Sequence, residues 1–231
     1  MNLIIFTILT FLIYRFTKKA NKKWNFPLLH PLLISPMLII ILIKSLNIST
    51  DTYAHASKLL TFMLGPATVA FAIPIYKHFH LVKKYIANII VSVTAGTLVA
   101  IFSSFALAMV LGLNADYIIS VLPRSITTPI AIEVSKEIGG LPTLTTIFVI
   151  ITGIIGGIIG PYEIKWLSIK SPIARGLALG MSAHGVGTSK AMEYGEQEAT
   201  FSTLAMIFAA WITLAWASLL IPALMNIFHL H

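Results

Sequence analysis

Residues 86–113, 143–162 and 201–228 contain no charged side chain. As helices these runs would be about 42, 30 and 42 Å long at 1.5 Å per residue. The hydrocarbon layer of a bilayer is about 30 Å thick, and an apolar helix of roughly 20 residues crosses it. This constrains the fold more than any other feature of the chain. Only 10% of residues are charged and 57% are hydrophobic, whereas soluble domains carry about 25% charged residues. The expected fold class is therefore an all-α polytopic membrane protein, a single membrane domain over residues 1–231.

The order of elements follows from apolar runs and their breakers. Helices are predicted over residues 2–16, 28–46, 59–76, 86–113, 143–162 and 201–228, about six spans. The segment NISTDTYAHAS, residues 47–57, reads as a polar loop. Gly65, Pro66 and Pro74 should bend the third helix, because proline removes a backbone donor and clashes with the preceding turn. The positive charges follow the first apolar run instead of preceding it. That order is opposite to a secretory signal peptide, so a retained first helix with its N-terminus outside is expected.

Two stretches, residues 115–140 and 171–198, are apolar but interrupted by Pro, Gly and charge. Irregular backbone at membrane depth survives only where protein or a water-filled cavity covers it, and broken segments of this kind mark the binding sites of transporters. The two stretches also resemble each other. With a shift of sixty, Thr128 falls on Thr188, Ala131 on Ala191, Glu133 on Glu193, Thr143 on Thr203, Leu144 on Leu204, Ile147 on Ile207 and Phe148 on Phe208, and Arg124 falls on His184. Residues 85–140 and 145–200 are expected to be internal repeat units.

Charge then orients the chain. If each broken stretch is a hairpin that leaves on the side it entered, Lys18–Lys23, Lys77–Lys84 and the loop with Lys165, Lys170 and Arg175 share one face. Full crossings would put the last group on the opposite face, against the positive-inside tendency. The hairpin reading makes the two stretches enter from opposite faces, which is an inverted repeat. The net charge of +8 is assigned to cytoplasmic loops and anionic headgroups, not to nucleic acid.

Within the first cluster, Arg124 stands in an apolar neighbourhood ahead of a helix start. A guanidinium offers a planar fork that matches a carboxylate. The hydroxyls of Ser125, Thr127 and Thr128 would cap the half-helix or bind the ligand. The bland alternative has Arg124 snorkelling to the interface or pairing with Glu133 or Glu137. In the second cluster, Gly185 and Gly187 would let the backbone bend and approach a ligand. Thr188 and Ser189 would cap a second half-helix, and His184 would bind an anion, pass a proton or serve as a hydrogen-bonded structural residue. Lys190 either attracts the anion or pairs with Glu193 or Glu196 on a wet surface. Glu133 and Glu193 are candidates for gates, proton carriers or partners of the cations.

Other features carry structural readings. Gly153, Gly156, Gly157 and Gly160 would let helices pack closely, and Trp24, Trp166 and Tyr162 fit interfacial anchors. The chain has no cysteine, which excludes thiolate metal sites and thiol catalysis. His78 and His80 are a weak metal signal, and His229 and His231 lie at the tail. No cofactor, metal or enzymatic activity is expected.

LPRSITTPIAIEVSKEIGG, SPIARGLALGMSAHGVGTSKAMEYGEQEATFSTLAM and PATVAFAIPIYK together resemble the LrgB/CidB family, nearest its CidB-like and YohK-like branches. The resemblance covers nearly the whole chain and is weakest before residue 25. It implies a multi-pass protein of the bacterial cell membrane. It also implies one of two roles: a holin- or antiholin-like modulator of murein hydrolase activity and autolysis, or a carrier of small carboxylates, since the plastid glycolate/glycerate translocator contains a related domain. It further implies a separately encoded LrgA-like or CidA-like partner. The expected function is transport of small monocarboxylates (pyruvate, glycolate, glycerate or lactate) by alternating access, with Arg124, His184 and Lys190 neutralising the substrate. The alternative is a holin-like pore or regulator. A wide pore needs oligomerisation and a long polar helix face, which the fourth to sixth predicted helices lack.

Overall fold

Proline, more than apolar length, marks where helices begin in the computed structural model, which describes residues 2–24, 29, 31–70 and 72–228. The described residues contain α-helix and no strand, as the composition requires. The chain divides into two compact units, Met1–Ala72 and Ile73–His231. His229 and His231 lie outside the described residues.

In the first unit, α1 (Asn2–Trp24) runs beyond the predicted end through Lys18, Lys19, Lys22 and Lys23. Lysine and alanine are good helix formers, and no glycine or proline intervenes before Pro27. α2 (Pro31–Ser45) packs on α1 through a buried hydroxyl pair, Thr17 Oγ1 to Ser35 Oγ at 2.7 Å. The expected loop over residues 47–57 is instead largely helical, as α3 (Thr50–Ala56). Ser49 Oγ accepts from the Thr52 N–H at 3.1 Å, and Asp51 sits in the first turn. A capping hydroxyl and an acid at the positive end of the dipole outweigh the polarity of the segment. Tyr53 of α3 donates to or accepts from Thr10 at 2.8 Å and stacks edge-on against Phe6.

The predicted bent helix over 59–76 is interrupted at Met63, the C-cap of α4 (Lys58–Phe62); α5 (Leu64–Ala70) and α6 (Ala72–Lys77) follow. Phe62, the last residue of α4, stands four positions before Pro66. Its carbonyl is the one that this proline leaves without a donor.

The second unit is built on three long helices: α7 (Phe79–Val110), α10 (Pro142–Trp166) and α12 (Glu196–Ile227). Each is long and apolar enough to cross a membrane. α7 and α12 run parallel. Lys77 meets Glu196 at one end, Trp216 Nε1 donates to Thr97 Oγ1 at mid-length, and the Phe105 and Phe228 rings meet 5.0 Å apart at the other end.

Each broken stretch folds back on itself. The first holds α8 (Ala115–Val121), an irregular turn at residues 122–127, and α9 (Thr128–Glu137). After α9 the chain turns at Gly139, where φ is +81°, and the Leu141 N–H donates to Ser120 Oγ of α8 at 2.8 Å. Placed end to end, α8 and α9 would separate those residues by more than about 20 Å, so this segment is a hairpin. Thr145 of α10 ties the hairpin together, its hydroxyl donating to the Ser120 carbonyl at 2.9 Å and lying 2.7 Å from Ser135 Oγ of α9. The second stretch is α11 (Pro172–Tyr194), whose backbone leaves the helical region at Ala183 and His184. Arg175, near its start, stacks on the ring of Tyr194, its last residue, at 5.5 Å, so it too is a hairpin.

The first hairpin directly precedes the N-terminus of α10 and the second directly follows its C-terminus. Their turns therefore approach the middle of α10 from opposite ends, the arrangement an inverted repeat requires. Lys77 and Arg175 gather at the start of α12, on Glu196 and Glu198 at 2.9 and 3.5 Å. Lys77–Lys84 and the Lys165, Lys170, Arg175 group thus share one end of this unit. Trp166 and Tyr162 are exposed at that same end, where interfacial anchors belong. Because the chain lacks cysteine, single cysteines report topology directly. Lys136→Cys and Lys170→Cys, at opposite ends of α10, are expected to react with an impermeant maleimide from opposite faces of the membrane. Labelling of both from one face would remove the inverted arrangement.

Candidate functional site

α10 presents an almost side-chain-free strip where the second hairpin turns. A Cβ on Gly153 would meet the His184 imidazole, on Gly156 Ala183, on Gly157 Val186 and on Gly160 Leu179. The four glycines thus seat the turn of α11 against the backbone of α10, the close-packing role their spacing suggests. His184 fills the space above Gly153. Its Nε2 lies 3.0 Å from the Val149 carbonyl. A carbonyl only accepts, so Nε2 carries the proton in this contact.

The sharp turn differs from its sequence expectation. The bend falls on His184, with φ +40° and ψ −120°, and not on Gly185. A non-glycine residue at positive φ is uncommon and costs on the order of 1–3 kcal/mol. The imidazole bond to α10 and the burial of His184 hold it there. Gly187 serves the hairpin itself, since a Cβ there would collide with the Leu179 carbonyl on the opposite limb. Gly185 faces open space.

Neither predicted hydroxyl cap is formed. Thr127 occupies the N-cap position of α9 without a side-chain capping bond. Thr188 and Ser189 lie one turn inside the second limb and donate back to the carbonyls of His184 and Gly185. Thr188 is buried and also meets Ser202 of α12 at 3.0 Å. This contact ties the hairpin to α12.

Three of the predicted polar residues, Glu133, Lys190 and Glu193, sit in two matched ion pairs, the first with Lys136. Lys136 donates to Glu133 at 2.8 Å, and Lys190 pairs with Glu193 at 3.0 Å. Both glutamates are two-thirds exposed. These are partners for cations, and exposed pairs of this kind contribute about 0–1 kcal/mol. Lys190→Ala is accordingly expected to shift the unfolding midpoint by less than about 2 °C and to leave function near wild type.

Arg124 is placed differently. It lies in the turn between α8 and α9 and reaches the flank of α10. There it lines a cavity of about 360 Å³ with Phe148, Thr152, Gly156, Glu163 and Ser182, among others. The α10 residues on this wall recur at intervals of three and four, so the cavity follows one face of the helix from its middle toward the Lys165 end. Arg124 Nε donates to Ser104 Oγ of α7 at 2.6 Å. No carboxylate among the described residues lies within ion-pair distance of Arg124, and the expected alternative pairing with Glu133 or Glu137 is not formed. Ser125 is buried beside it.

Of the binding residues expected from the sequence, Arg124 is in the cavity wall, whereas His184 of α11 packs against Val149 and Gly153 of α10. Ser104, Thr152, Glu163 and Ser182 were not foreseen. Each is a common residue on a long helix or beside a turn, and its spacing carries no signal until α7, α10 and the two hairpins are brought together. A cation facing a cleft of mixed polarity, with hydroxyls in its wall, is suited to a small anion.

The chain is similar to YwbG of Bacillus subtilis, with 44% identity over 94% of this chain and 97% of the relative. It is similar to the holin-like protein CidB of Staphylococcus epidermidis at 37% identity, and to that of Staphylococcus aureus at 34%, each over 98% of this chain and 97% of the relative. No solved structure matches it. The LrgB-like family profile matches residues 10–223, and the chain belongs to that family.

Proposed function

We propose that the chain is a transporter of small monocarboxylates of the pyruvate, glycolate, glycerate or lactate type, working by alternating access in the bacterial cell membrane, and not an enzyme. One observation carries this reading. Arg124, without a carboxylate partner among the described residues, lines a cavity at the place where the two opposed hairpins approach α10. An unneutralised guanidinium at membrane depth is costly, and such residues mark substrate paths by default. A carboxylate would neutralise it, and the hydroxyls of Thr152 and Ser182 would contact the rest of the substrate. Alternating access would move the hairpins against the long helices. A separately encoded LrgA-like or CidA-like protein is the proposed partner, with further copies of the chain as a second one.

The names of the staphylococcal relatives favour a second reading, a holin-like pore or a regulator of murein hydrolase export or activity. Carriage of carboxylates and effects on the cell wall are compatible if the flux acts on wall enzymes indirectly. Proteoliposomes separate the two. Saturable uptake of labelled pyruvate or glycolate with retention of a larger trapped dye supports the carrier. Escape of the dye without saturable uptake supports the pore and ends the carrier reading.

A further inference from the structure

The hydrogen bonding around Arg124 fixes more than its position. Ser104 has one hydroxyl proton, and it is directed at the Ala100 carbonyl one turn back on α7, at 2.6 Å. The oxygen is left as an acceptor, and it accepts from Arg124 Nε at 2.6 Å. Ser104 is itself buried. Nε is the donor at the inner edge of the guanidinium. Holding it leaves Nη1 and Nη2, the two nitrogens of the fork, without a partner among the described residues, and Arg124 lines the cavity.

We propose that Ser104 is a positioning residue that orients the Arg124 fork for two-point binding of a planar carboxylate. It thereby makes the cavity select carboxylates over tetrahedral monoanions of equal charge. This inference rests on the carboxylate reading above and names its recognition chemistry. Two parallel N–H···O bonds match the spacing and plane of a carboxylate. A sulfonate carries the same charge but presents its oxygens on a tetrahedron. A guanidinium free to swing about its side-chain torsions would distinguish the two poorly. Ser104 touches no part of the substrate; it acts through Arg124.

The test uses the full chain in proteoliposomes, with labelled glycolate as substrate and acetate and methanesulfonate as competing anions. Ser104→Ala is expected to raise KM about tenfold, the worth of one hydrogen bond to a charged group, with maximal rate close to wild type. The preference for acetate over methanesulfonate is expected to fall by a similar factor. Ser104→Thr, which keeps the hydroxyl, is expected to restore both. Arg124→Lys carries the claim independently of any effect of Ser104→Ala on folding. It keeps the charge and removes the fork, so it should lose the preference between the two anions.

A Ser104→Ala protein with wild-type KM and selectivity, in a background where Arg124→Ala abolishes uptake, overturns the positioning role alone. So does an Arg124→Lys protein that retains the wild-type preference. A wild type that shows no saturable glycolate uptake overturns the carboxylate reading and this inference with it.

Discussion

Arg124→Ala is expected to lower saturable carboxylate uptake by at least about a hundredfold, the worth of losing a two-point charged contact of roughly 3 kcal/mol or more. The fold should survive. The side chain is only partly buried, and its one hydrogen bond among the described residues is to Ser104. Removing the cation also removes a charge that is costly at membrane depth, so the unfolding midpoint should hold or rise. This combination separates a ligand-binding arginine from a structural one. A structural arginine would take stability down with activity. Uptake measured beside thermal unfolding of the purified protein decides it: uptake that falls together with the midpoint would make Arg124 part of the scaffold.

Gly187→Ala should do the reverse. The added methyl would run into the Leu179 carbonyl across the second hairpin, and Leu179 and Ala183 are fully packed. Backbone cannot rotate aside as a long side chain can. Overpacking of well-packed sites costs about 1–3 kcal/mol and sometimes more, and a clash with backbone belongs at the top of that range. The expected result is loss of most folded protein, with thermal unfolding lowered or no monodisperse material recovered. Gly185→Ala, two residues away, is the control. Nothing lies within 4 Å of its Cβ position, and removing a helical glycine gains about 0.5–1 kcal/mol. Equal tolerance of both alanines would mean that the hairpin limbs are farther apart than described here.

The contrast between these glycines shows where sequence reasoning succeeds. Apolar runs without charge located α7, α10 and α12, because a membrane span is a statement about length and hydropathy, which are local. The two interrupted stretches were legible as hairpins because breakers and charges cluster there. The glycine strip on α10 was legible as a packing face through its spacing. The ends of helices were less so. α1 continued through its lysines, and α3 formed where polarity suggested a loop, because capping by Ser49 outweighs composition.

The site was legible only in part. Arg124 stood out because a cation in an apolar stretch is rare. His184 stood out too, but whether it bends the chain or binds a ligand depends on the neighbour it reaches, the Val149 carbonyl on another helix. Glu133 and Glu193 fell on each other in the repeat as gates, proton carriers or partners of the cations, and Lys190 was expected either at the anion or paired with Glu193 or Glu196. They pair locally at i, i+3 on exposed surfaces, which a sixty-residue spacing cannot reveal. Ser104 gave no signal at all, since its importance lies in a bond to a residue twenty positions away.

The glycine strip has a mechanical consequence. Where two helices interlock through side chains, sliding one past the other requires knobs to leave holes and rotamers to rearrange. Along Gly153, Gly156, Gly157 and Gly160 one of the two surfaces has no knobs. Resistance to translation there comes mostly from dispersion, spread over many weak atom contacts. The His184–Val149 hydrogen bond is the one polar latch at this contact among the described residues. The second hairpin therefore rests on α10 as on a plain bearing with a single catch.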